Sequence, residues 1–125
     1  MSQRIILTTG IYDLIKDHVR RKRVTLQEEE ILLKELKTAS QVLRRDLPKE
    51  VVTVNKLVTY KDHQTNENRT VTFVGPTRAK QSKNKISILS DEGIAIVGHK
   101  EGDIIEWPAR KGALKLEIIK VQELS

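Results

Sequence analysis

Two short charged runs stand closest to chemistry in this chain: Arg20-Arg21-Lys22-Arg23 and, a few residues on, Glu28-Glu29-Glu30. Four successive cations can pair with phosphate or carboxylate, so the basic run is suited to RNA, DNA or an acidic protein surface. At the end of a helix the same cations would complement the C-terminal dipole and solvate a turn, and both readings stand. Three neighbouring carboxylates could form an acidic pair for a divalent ion. Their stronger reading is local: in a first helical turn they complement the macrodipole, and Glu28 has a capping role. A second basic set, Arg78, Lys80, Lys83 and Lys85, reads as a solvated loop.

Other reactive chemistry is scarce. There is no cysteine, which removes thiol nucleophiles, thiolate zinc sites and disulfides. His18, His63 and His99 are too scattered for a metal motif, and none is a candidate catalyst. Gly93, Gly98 and Gly102 have turn spacing, not that of a nucleotide loop. Aromatic residues are 3% of the chain, too few for a base-stacking platform, and Trp107, flanked by Ile104 and Ile105, reads as a core anchor. We therefore expect no catalytic residue, metal, cofactor or small-molecule substrate. No apolar run approaches the roughly 20 residues of a membrane span, so no membrane partner and a cytoplasmic location are expected. The net charge of +6 suits an anionic partner without identifying one.

These residues need elements to position them. Hydrophobic residues at 38% and charged residues at 32% fit a folded globular chain of 125 residues. Ile11, Leu14, Ile15, His18 and Val19 follow helical spacing, with Thr8 or Thr9 as N-cap. Thr25 and Glu28 have capping-box spacing, so a second helix starts there. Leu26, Leu33, Leu36, Ser40, Leu43 and Leu47 then occupy heptad-like positions, with Leu32 and Ala39 widening the stripe. This predicts an antiparallel helical hairpin over residues 1–48, a short finger with its tip at Arg20 to Gln27, ended by Pro48. Residues 49–125 turn to β periodicity, with strands expected over 51–60, 69–74, 86–89, 103–107 and 114–121 and a short helix over 93–97. The expected fold class is α+β: a helical hairpin followed by a mostly antiparallel sheet domain with one short helix.

Within that second unit, residues 86–98 (ISILSDEGIAIVG), 99–107 (HKEGDIIEW) and 114–124 read as strand, short helix, Gly turn, strand and closing strand. The order resembles the C-terminal domain of the bacterial Gre transcript-cleavage factors. Val51 to Asn55, directly after Leu47-Pro48, is similar to the opening of that domain in the short-fingered regulators of nucleoside diphosphate kinase within the same family. The resemblance covers about residues 50–124, and over 1–48 it is architectural. It implies an FKBP-like sheet domain that docks on the rim of the RNA polymerase secondary channel. In matching positions that surface would comprise Ile88, Ser90, Asp91, Glu92 and Ile94, with Asp91 standing where many relatives carry proline.

The resemblance also implies a finger inserted into the channel, its tip here formed by Arg20, Arg21, Lys22, Arg23, Glu28 and Glu29. Cleavage factors carry an Asp-Leu-Lys-Glu-Asn tip, whose acidic residues help hold a second Mg²⁺. This chain has RKRVTLQEEE instead. The expected function is therefore an RNA polymerase-binding elongation regulator, not itself an enzyme, that does not stimulate cleavage. The alternatives are a basic hairpin with weak nucleic-acid contact and an FKBP-type peptidyl-prolyl isomerase, the latter resting on fold alone.

Overall fold

The computed structural model describes residues 4–110 and 112–123. Strand β1 (Ile6–Thr8) runs straight into helix α1 (Thr9–Arg20), whose N-cap is Thr8: its hydroxyl accepts the Ile11 amide at 3.4 Å. A link over 21–25 leads to α2 (Leu26–Thr38), and the chain reverses there through Lys22, which adopts a left-handed φ of 57°. At the start of α2 the full capping box forms, with the Glu28 amide on the Thr25 hydroxyl (3.1 Å) and the Thr25 amide on Glu28 Oε1 (3.0 Å).

The heptad stripe does not survive as a seam. Helix α2 stops at Thr38, and residues beyond it turn extended to form β2 (Ser40–Val42), which pairs in parallel with β1. Leu26, Leu33 and Leu43 are exposed, while the buried face of α2 is Glu28, Leu32 and Leu36 at i, i+4, i+8. The reason is the partner. Ile11, Ile15 and Val19 of α1 and Leu32 and Leu36 of α2 share one buried cluster with the sheet, so the face that counts is the one turned to sheet and helix together.

The main sheet comprises β3 (Lys56–Asp62), β4 (Glu67–Val74), β5 (Lys85–Ser87), β6 (Ile104–Ala109) and β7 (Gly112–Glu123), in the order β5-β4-β3-β7-β6. All pairs are antiparallel except β4 with β5. Helix α3 (Asp91–Ile96) lies in the crossover from the β5 edge to the β6 edge. The fold is thus α+β. The strand expected over 51–60 enters the sheet only at Lys56. Val51 to Val54 instead run beside the loop after α3, where the Val52 amide donates to His99 O and the Gly98 amide to Val52 O.

Two glycines set close approaches. A Cβ on Gly93 would lie 2.5 Å from the Ile88 carbonyl oxygen, so α3 can turn tightly over the end of β5 only with glycine there. Gly98 has φ +83° and packs against Ile5 and Leu7, and its carbonyl accepts the Ile6 amide at 3.1 Å. Strand β1 is thereby fastened to the loop that follows α3.

Candidate functional site

The basic run is already partly committed. Asp17, in the last turn of α1, pairs with Arg20 and with Arg21 (Nε to Oδ2, 3.0 Å), and Lys22 Nζ meets Glu29 Oε1 at 3.1 Å. The Arg20 hydrogen bond chiefly holds the Asp17 carboxyl below the usual carboxylate range. Arg23 differs: among the described residues no carboxylate lies within 4 Å of its guanidinium. Its carbonyl accepts Arg110 Nη2 at 3.4 Å, which ties the link to the end of β6.

The acidic run is dispersed. Glu28 is buried, and its second oxygen, Oε2, accepts the Trp107 indole N–H at 2.7 Å. Glu29 is held by Lys22, and Glu30 is exposed. Glu28 and Glu29 are therefore not presented together on an open tip. Among the described residues no group of three or more acidic or histidine side chains could hold a metal ion.

Helix α3 begins at Ser90, whose hydroxyl accepts the Gly93 amide at 3.2 Å, leaving Asp91 and Glu92 half-buried in the first turn. Ile88 and Ile94 are buried. Their side chains belong to the core, so of the five expected docking positions Ser90, Asp91 and Glu92 remain at the surface.

The fold brings the link and α3 to one place. A cleft of about 440 Å³ is lined by Asp17, His18, Arg21 and Arg23 on one side and Pro76, Leu89 and Ser90 on the other. A second, of about 250 Å³, shares His18, Arg23 and Leu89 with it and adds Val24, Glu28, Asp91, Ile94 and Arg110. His18 is half-buried there; burial first, then the Arg23 charge, push its pKa below the ordinary histidine value. The sequence treats the tip and the docking segment as separate features. Here they are two walls of one depression.

Three contacts lay outside what the sequence patterns predict. Arg110 carries no local pattern. The indole of Trp107 required a polar partner once buried, and that requirement was the one available signal for Glu28. His99 is buried between Glu35 of α2 (Nε2 to Oε2, 3.3 Å) and Asp103 (Nδ1 to Oδ2, 3.6 Å). A separate groove of about 480 Å³, lined by residues such as His63, Pro108 and Leu114, contains none of the expected site residues. No described helix is long and apolar enough to cross a membrane.

Comparison with known proteins points one way. Residues 47–123 match the family described as transcription elongation factor, GreA/GreB, C-terminal. Transcription elongation factor GreA of Clostridium botulinum strain Hall is 41% identical over 86 residues, 69% of this chain and 54% of that protein. The Clostridium kluyveri protein of the same name is 34% identical over 87 residues, 70% of this chain and 55% of that protein. The chain thus spans about half the length of the curated relatives it matches. Among solved structures, a prokaryotic transcription elongation factor GreA/GreB from Nitrosomonas europaea superposes with a TM-score of 0.68 at 29% identity, covering 97% of this chain and 99% of that one.

Proposed function

The chain belongs to the GreA/GreB family of transcription elongation factors, and from that membership we propose that it binds bacterial RNA polymerase at the rim of the secondary channel and regulates elongation without stimulating transcript cleavage. The single observation that carries the second half is the fate of the acidic run. Glu28 is buried on Trp107 and caps its own helix, and Glu29 is paired with Lys22. Glu28, spent in this way, is not free to share a second Mg²⁺ with the polymerase, and the remaining Glu29 and Glu30 are adjacent helix positions that do not face each other. The 12- and 13-residue helices also turn their apolar faces into the core they share with the sheet, which limits their reach toward an active centre.

In this reading residues 49–125 form the docking unit, with an FKBP-like sheet, and residues 1–48 the helical regulator, a short hairpin. Docking uses Ser90, Asp91 and Glu92. Direct nucleic-acid contact through the basic run is secondary, since Arg20, Arg21 and Lys22 already have carboxylate partners.

The test is binding of the full chain to core RNA polymerase in competition with a full-length GreA, together with a cleavage assay on stalled elongation complexes. Mutually exclusive binding, weakened by Asp91→Lys, and no added cleavage are expected. Simultaneous binding of both proteins, or cleavage above the polymerase's own rate, would overturn the proposal.

A further inference from the structure

Arg23 and Arg110 line one depression between the link and α3, and among the described residues neither has an acidic partner. Arg23 comes from the link and Arg110 from the end of β6, 87 residues apart in sequence, and both are exposed and line the smaller cleft. Among the described residues no carboxylate lies within 4 Å of either. Each of the other three cations of the basic run has one. Planar guanidinium forks are the groups best suited to take a carboxylate in two parallel hydrogen bonds. The adjoining wall is apolar, formed by the half-buried Val24 and Leu89, with Pro76 in the larger cleft.

We infer that this depression is a composite docking site for a protein segment that carries an acidic side chain next to an apolar one. The carboxylate seats between Arg23 and Arg110, and its apolar neighbour lies on Leu89. A protein segment fits better than a nucleic acid on two grounds. No Phe, Tyr or Trp lines either cleft, which leaves the half-buried His18 ring as a poor platform for a base to stack on. Asp91 and Glu28 also lie in the smaller cleft, and they would oppose a continuous polyanion more than a single carboxylate. The electrostatic surroundings of His18 agree with this placement, since Arg23 and Arg110 both lower its proton affinity.

The inference deepens the proposed docking by Ser90, Asp91 and Glu92, and in naming the partner it rests on that reading. It requires the link, and so the helical region, to take part in docking together with the sheet domain. Two measurements separate the site from the partner. In the first, fluorescence anisotropy follows a labelled Glu-Leu-Glu-Asp-Leu-Glu peptide and a labelled 12-nucleotide RNA on the full chain. The comparison is with Arg23→Ala, Arg110→Ala and the double variant, whose folding is checked by Trp107 emission. Peptide affinity should fall about tenfold or more in the double variant, with RNA binding weaker than peptide binding and less affected. An undetectable peptide complex, unchanged peptide affinity in a folded double variant, or RNA bound more tightly and lost with the two arginines would overturn the site.

The second measurement is binding of the same variants to core polymerase. A parallel loss assigns the acidic segment to the polymerase. If the peptide arm holds while the variants bind polymerase as the parent does, or if the parent itself does not bind polymerase, the site stands and the partner reading fails.

Discussion

Trp107 on β6 donates its indole N–H to Glu28 Oε2 on α2 at 2.7 Å, a buried contact between residues 79 apart, while the other oxygen of the same carboxylate caps α2. One side chain thus starts a helix and fastens it to the sheet. Replacing Trp107 with Phe should keep most of the buried area and lose the hydrogen bond. The expected cost is about 1.5–3 kcal/mol, the range for a bond to a charged group, read from urea unfolding. Glu28→Ala removes the capping bond as well and should cost more than Trp107→Phe. Equal stability of Trp107→Phe and the parent would mean that the contact contributes nothing.

The buried face of α2 can be separated from its heptad pattern by two substitutions on adjacent residues. Leu32 is 2% exposed and Leu33 is 47% exposed. Leu32→Ala should destabilise by about 2–5 kcal/mol, as large-to-small changes in cores do, and Leu33→Ala by about 0.5 kcal/mol or less. A reversed order in thermal or urea melts would return the helix to the leucine seam.

Gly93→Ala should be among the most damaging small changes in the molecule. The added carbon would meet the Ile88 carbonyl oxygen at 2.5 Å, a backbone atom that cannot swing aside as a side-chain tip does. Overpacking of this kind costs about 1–3 kcal/mol or more. Gly75→Ala, where a Cβ meets nothing within 4 Å, serves as the control and should be near neutral.

Two titrations should shape the stability profile. Burial pushes the Tyr60 hydroxyl up to about 12 from an ordinary value of 10.0. The unfolded chain therefore gives up this proton first, and stability is intact below pH 10 and falls as pH rises from there towards 12. His18 is lowered from 6.5, chiefly by burial. The unfolded chain takes up that proton first, so stability present above pH 6.5 is lost as pH falls through the depressed value. Urea midpoints measured across pH, with Tyr60→Phe and His18→Gln as controls, check each arm. A base-side decline that persists unchanged in Tyr60→Phe would remove that assignment.

What the sequence determined by itself was local. The Thr25 and Glu28 capping box, the Thr8 cap and the apolar face Ile11, Ile15, Val19 each depend on residues three or four apart, a distance over which helical geometry alone decides who meets whom. The strands β4 and β7 were legible for the same kind of reason, since alternation needs only nearest neighbours, and the order of elements after residue 85 was enough to suggest the family. Tertiary structure decided the rest. The end of α2 at Thr38 follows from pairing of Ser40–Val42 with β1, more than thirty residues away. The burial of Ile88 and Ile94, the second bond of Glu28, and the meeting of Arg23 with Arg110 depend on how the helices and strands close around one core. Periodicity tells a side chain which face of its own element it occupies. Only packing supplies what stands opposite, and at this site that is what turned an acidic tip into a core contact and left two arginines facing an open cleft.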